Sequence, residues 1–421
     1  MRWQYIGNII GILLVFLGVV MVFPVGCSFI YHDGSLMAIL VSMAATLGTG
    51  TFLFFASRRP DIEYINPREG IAIVALGWAA IGLFGALPFY FGDAVPSFTD
   101  AVFESVSGFT TTGSSVFTNI EGVSKSLLFW RSFIQWLGGM GIIVLSLAIL
   151  PFLGVGGMQL FKAEVPSPVP DKLTPRLSDS AKILWYVYAM ISLLQVLFLM
   201  GGGMGFYDAL CHAFTTMPTG GFSTKNTSMA HFDSAYLDYV VVVFMILAGI
   251  NFSLHYQLLR GKTLIFWRDS ECRFFLAAVI VLTLVVSFNI HGAVYQSIGD
   301  SLRYGSFQVI SIVTTTGFAT ADYNHWPPMS KLIILLCMFL GASAAATAIS
   351  TTGLLGVASA QAATPKVLYG PLPNIAKLNA NENPFGPSPA ALKAISQAAS
   401  QGGAYYAYPA AMTLLDMIAE R

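Results

Sequence analysis

Long apolar runs alternate with short polar interruptions along this chain. A run of about 20 mostly apolar residues is long enough, as a helix, to cross the hydrocarbon core of a bilayer. Such runs lie near 6–30, 36–56, 70–91, 126–150, 182–201, 235–258 and 274–291, and from 330 onward, which predicts eight spanning helices. Three of the polar connections share one plan: an aromatic-rich stretch at helical spacing, then threonines, then a glycine. They read SFTDAVFESVSGFTTTGSS at 97–115, GFYDALCHAFTTMPTGGFST at 205–224 and IGDSLRYGSFQVISIVTTTGFAT at 298–320. Aligned on Gly113, Gly221 and Gly317, they repeat at intervals of 108 and 96 residues.

The repeat predicts a unit of helix, short re-entrant helix, Thr/Gly loop and helix. Asp100 and Asp208 each lie 13 residues before their glycine, a place suited to the first turn of a short helix, where free N–H groups and the macrodipole favour a carboxylate. The third repeat has Tyr304 there, and its nearest acid is Asp300. Non-helical backbone at membrane depth is tolerated only when buried in protein or lining a watery cavity. A short helix whose C-terminus points inward offers its negative end to a cation. Glycine lets successive carbonyls turn toward one axis, where they replace the water shell of a dehydrating ion. The pattern points to cation selection by backbone oxygen.

Composition agrees with a membrane protein: 55% of the 421 residues are hydrophobic and 10% charged, against about 25% charged in soluble domains. The first apolar run is too long for a signal peptide and lacks a small-residue cleavage site before Ser35, so it reads as a retained helix. Cys27, Cys211, Cys272 and Cys337 are far apart and read as small apolar fillers, and the six histidines are scattered, which argues against a metal site. Net charge is zero, but Arg2, Arg58, Arg59, Arg68, Lys162, Lys172, Arg176, Lys182, Arg260, Lys262, Arg268 and Arg273 cluster at the N-terminus and in alternate connections. The positive-inside rule puts these in the cytoplasm, so the N-terminus is cytoplasmic and the Thr/Gly connections dip in from outside.

The motifs FESVSGFTTTG, FWRSFIQWLGGMGIIVL, TTMPTGGFST, GINFSLHYQLLRG and FQVISIVTTTGFATADY together resemble the TrkH/KtrB/HKT superfamily of potassium transporters over residues 1 to about 343, with the closest likeness to its bacterial TrkH branch. The resemblance implies an all-α polytopic membrane protein of concatenated helix/pore-loop/helix units around one pore, three of an expected four, preceded by an N-terminal helix pair. The corresponding boundaries are 1–60 for the pair, 61–157, 158–262 and 263–343 for the pore units, and 344–421 for a largely unstructured tail. The filter residues it implies are Thr111, Thr112 and Gly113, then Thr219, Gly220 and Gly221, then Thr315, Thr316 and Gly317, with Thr110 and Thr314 as supports. Transported K+ is the ion, with no cofactor and no enzymatic activity. The implied setting is a bacterial inner membrane, as a homodimer on a TrkA-like nucleotide-binding regulatory subunit, with the lipid bilayer as the other partner and no nucleic acid. GGMG at 138–141 reads as a close helix contact through small residues, and Arg131, near the outer end of its helix, as a snorkelling structural arginine, with pairing to an outer acid as the alternative.

After Phe339 the chain departs from that pattern. The resemblance expects a glycine-rich gate such as GACAGSTGGGIK, whereas the sequence reads GASAAATAISTTGLLGVASAQAATPKV. Residues 347–363 resemble an export signal without its basic start, and LNANENPFGPSPAALKAI with YYAYP resembles the beginning of a histidinol-phosphate-type aminotransferase. The expectation is a join of two unrelated sequences near 341–350 and poor transport for want of a gate and a fourth unit. Two alternatives stay open: an aminotransferase fragment fused to membrane segments, and a secondary transporter with broken helices.

Overall fold

The computed structural model describes residues 2–57, 67–139, 141 and 177–340. These belong to one compact, all-helical unit. Residues 142–176 hold the end of the 126–150 run and the basic connection with Lys162, Lys172 and Arg176, and 341–421 hold the gate-equivalent, signal-like and aminotransferase-like stretches. Both segments lie outside the described residues.

In chain order the helices are α1 (Trp3–Val20), α2 (Val22–Tyr31), α3 (Leu36–Ala56), α4 (Pro67–Gly85), α5 (Leu87–Phe91), α6 (Phe98–Phe109), α7 (Lys125–Gly139), α8 (Leu177–Gly201), α9 (Phe206–Thr216), α10 (Ala235–Gly249), α11 (Phe252–Leu259), α12 (Ile265–Arg268), α13 (Ser270–Ile290), α14 (Ile298–Val313) and α15 (Pro328–Leu340). Among the described residues five segments are long and apolar enough to cross a membrane: Trp3–Tyr31, Leu36–Ala56, Arg68–Phe91, Lys182–Gly201 and Ser270–Ile290. Ala235–Gly249 and Pro328–Met338 are shorter apolar helices.

Three expected runs are interrupted, each for a local reason. The first breaks at Met21, three residues before Pro24, which has no N–H to continue the ladder. The third breaks at Ala86, just before Pro88. The run expected to be continuous over 235–258 is instead two helices, because Ile250 adopts an extended conformation (φ −90°, ψ 142°). At the break the Leu247 carbonyl accepts the Ile250 N–H at 3.3 Å, and the buried His255 Nε2 lies 2.9 Å from the same oxygen.

The N-terminal helices pack by close backbone approach. A Cβ on Gly11 would lie 2.6 Å from the Phe54 nitrogen, and one on Gly50 would lie 2.7 Å from the Val15 nitrogen, so these glycines set the α1–α3 crossing. This layer joins α4–α7 in one apolar cluster, and α8–α15 form a second. Asp33, in the connection from α2 to α3, accepts the Ser126 N–H at 2.7 Å and so caps α7 from a distant part of the chain. All four cysteines are buried and free.

Candidate ion-binding loops

Each Thr/Gly stretch follows directly on the C-terminus of a short helix: α6, α9 and α14. Ser97 caps α6 by accepting the Asp100 N–H at 3.1 Å, and Asp100 and Asp208 lie in the first turns of α6 and α9. Helix α14 starts about one turn earlier relative to its glycine, with Ser297 as its cap and Asp300 in its first turn.

The three stretches have the same backbone. Thr111, Thr219 and Thr315 are left-handed, with φ of 56°, 54° and 60°, and two residues later Gly113, Gly221 and Gly317 have φ of 76°, 70° and 82°. The first of each pair ends its helix in a Schellman arrangement. The Thr111 N–H donates to Gly108 O at 3.0 Å and the Thr112 N–H to Ser107 O at 2.9 Å; the matching bonds run from Thr219 to Thr216 and Gly220 to Thr215, and from Thr315 to Ile312 and Thr316 to Ser311. Glycine is the usual residue at such a position, and a β-branched residue there is strained.

The consequence is chemical. The amide groups of each strand are used up on the last carbonyls of its helix, while the carbonyls of 111–113, 219, 221 and 315–317 accept no hydrogen bond among the described residues. Backbone oxygens are thus left for a ligand at the negative end of a helix. The strands also stand close together. A Cβ on Gly113 would overlap the Gly220 oxygen, and one on Gly221 would overlap the Thr316 oxygen. Strand two therefore lies between strands one and three, and glycine is required at both contacts.

Behind each strand is a buried polar side chain that the sequence reading missed. Glu104, His212 and Gln308 occupy the same place, nine residues before the glycine of their repeat, and all are essentially unexposed. Glu104 accepts the Val116 N–H at 2.9 Å, His212 Nε2 lies 2.9 Å from Ser223 Oγ, and Gln308 Nε2 donates to Ala321 O at 3.1 Å. Each ties the segment after the glycine to the helix before it. The signal was a polar residue at one phase in all three repeats, and it emerges only when the repeats are aligned.

Helix α7 supports these strands with one face. Arg131, expected to snorkel, is instead 2% exposed; its Nε is 2.5 Å from Glu104 Oε1 and its Nη1 donates to Ser223 O at 3.1 Å. The guanidinium carbon lies 3.5 Å from the centre of the Phe222 ring. The reason is that Glu104, buried in the same layer, needs a cation more than Arg131 needs water. One turn on, Gln135 Nε2 donates to Gly220 O at 2.9 Å and its Oε1 accepts the Phe222 N–H at 3.3 Å. Gly138 and Gly139 complete the face: a Cβ on Gly138 would lie 2.8 Å from the Phe109 carbonyl carbon, and one on Gly139 2.7 Å from Pro218 Cα. No group of metal-ligating side chains occurs among the described residues.

Comparison with known proteins gives the relatives of this chain. Residues 35–355 match the family described as "TrkH: Cation transport protein". The chain is 41% identical over 353 residues to the Trk system potassium uptake protein TrkH of Halomonas elongata, and 39% identical over 354 residues to the protein of that name from Escherichia coli (strain K12). Each match covers 82% of this chain and 72% of the relative. The crystal structure of the potassium transporter TrkH from Vibrio parahaemolyticus aligns with a TM-score of 0.73 at 33% identity, over 89% of this chain and 80% of that one.

Proposed function

The chain belongs to the TrkH family of cation transport proteins, and we propose that the three Thr/Gly strands form the selectivity filter through which it passes potassium. The protein is a membrane transporter of potassium ions, not an enzyme. The observation that carries the filter assignment is the backbone of 111–113, 219–221 and 315–317: three copies of one left-handed, alternating conformation, packed side by side, with every carbonyl but that of Gly220 unpaired among the described residues. A dehydrated K+ exchanges its water for such oxygens, with Thr112, Gly113, Gly220, Gly221, Thr316 and Gly317 nearest the ion and Thr111, Thr219 and Thr315 making the turn. No bound cofactor is required for this chemistry.

Expression in a bacterium deficient in potassium uptake tests the assignment. Growth at low K+ that is supported by the chain and lost with Gly113→Ala or Gly221→Ala fits the filter, because the new methyl group displaces a neighbouring strand's carbonyl. Uptake and selectivity that are indifferent to both substitutions would remove these strands from the ion path.

The setting we infer is a bacterial inner membrane with a cytoplasmic N-terminus. Arg260, Lys262 and Arg268, between α11 and α13, and Arg273, in the first turn of α13, are exposed, which suits a cytoplasmic face and docking of a nucleotide-binding regulatory subunit. A homodimer is the assembly we infer from the same family.

A further inference from the structure

The three proposed filter strands are not held in the same way. In strands one and three a pair of threonine hydroxyls, two residues apart, braces the turn: Thr110 Oγ1 lies 2.8 Å from Thr112 Oγ1, and Thr314 Oγ1 lies 2.8 Å from Thr316 Oγ1. In each pair the first hydroxyl also donates to its helix, Thr110 to Val106 O and Thr314 to Ile310 O, both at 2.7 Å. The corresponding positions of strand two are Pro218 and Gly220, so no hydroxyl pair exists there.

Gln135 takes that place from another helix. Its side-chain amide pairs with a carbonyl and an N–H two residues apart on the strand, Gly220 O and Phe222 N, as a neighbouring peptide group would. A carbonyl can only accept and an N–H can only donate, so the two partners fix which way the amide points. Gly220 has to be glycine for this contact, since a Cβ there would lie 2.5 to 2.6 Å from the Gln135 amide atoms. Gln135 is completely buried, and Trp136, next to it, packs on Phe214 of α9 with ring centres 5.1 Å apart and donates its Nε1–H to Ser192 Oγ of α8 at 2.9 Å, so the helix carrying it is held by two neighbours.

We propose that Gln135 is a positioning residue for ion selectivity: its amide holds the Gly220 carbonyl in place of the threonine pair that braces the other two strands. The proposal rests on the filter reading above. It assigns to the first pore unit's second helix control over the geometry of the second unit's strand.

Purified protein reconstituted into liposomes, with radioactive rubidium uptake competed by K+ or Na+, gives the discriminating ratio. Gln135→Met keeps the side chain's length and removes both hydrogen bonds. It is expected to lower K+ over Na+ discrimination about tenfold, the scale of one buried hydrogen bond lost (about 1.4 kcal/mol). Gln135→Glu keeps the acceptor for the Phe222 N–H but has no donor for Gly220 O, and discrimination is expected to fall with it too. Ser132→Ala, on the same helix but with its hydroxyl bonded to Leu128 O at 3.0 Å rather than to a strand, is expected to leave the ratio unchanged, which separates positioning from general weakening of the helix. Gly221→Ala is the reference for the filter itself. A changed ratio in Gly221→Ala with an unchanged ratio in Gln135→Met overturns the role of Gln135 and leaves the filter standing. An unchanged ratio in both overturns the two together.

Discussion

The ion pair Arg131–Glu104 is the most constrained side-chain contact behind the proposed filter. Both groups are buried, so each has given up its water, and their attraction mainly offsets that desolvation. The expected signature is asymmetric. Arg131→Met or Glu104→Leu alone leaves one charge without a partner and should cost about 3–5 kcal/mol. The double variant removes both charges and should recover most of that loss, though not all, because the Val116 N–H also loses its acceptor. Thermal unfolding in detergent checks it; a double variant as unstable as the sum of the singles would mean that the pair is not energetically coupled. The sequence offered Arg131 as a candidate but not its partner. A lone arginine near the end of an apolar run is usually placed by its reach to water, and only the fold shows that Glu104, 27 residues earlier, faces it in a dry layer.

At the scale of elements, the short helices and their threonine–glycine ends were legible because they recur in phase three times. What one repeat leaves ambiguous, an ordinary polar loop or a built turn, three repeats resolve. Less legible was which residue bears the strain. Thr111, Thr219 and Thr315 take the left-handed position, where a Cβ costs about 1–2 kcal/mol. Thr315→Gly relieves that cost and gives back about 0.5–1 kcal/mol in added freedom of the unfolded chain. The folded state should gain up to about 1 kcal/mol, with a midpoint of thermal unfolding equal to or above that of the wild type. A clear fall would show that the Thr315 hydroxyl, which donates to Thr314 O at 2.6 Å, holds the strand rather than straining it. The break at Ile250 had no such repeat to reveal it. A buried histidine, His255, accommodates the interrupted ladder there, and apolar periodicity carries no trace of that.

Across the whole molecule the N-terminal helices and α7 are joined by Asp33. Its carboxylate accepts the Ser126 N–H at 2.7 Å, the Ser28 hydroxyl at 2.7 Å and the Ser35 N–H at 3.2 Å. Partial burial pushes its pKa up, but the hydrogen bonds from Ser126, Ser28 and Ser35 outweigh that and hold it below the ordinary value of 3.8. A carboxyl whose folded pKa is depressed contributes stability that is fully present above its unfolded pKa and is lost as pH falls through the folded one. Asp33→Asn keeps an oxygen acceptor but loses the charge on these hydrogen bonds, and should therefore cost about 1 kcal/mol near neutral pH, the difference between a charged and a neutral acceptor. The gap between wild type and variant should close only below about pH 4, where the wild-type carboxyl takes up its proton. Unfolding midpoints in detergent at neutral and acid pH measure this difference directly. A gap that persisted unchanged at pH 3 would mean that the Asp33 charge is not what fastens α7, and with it Arg131, Gln135 and the second strand, to the N-terminal helices.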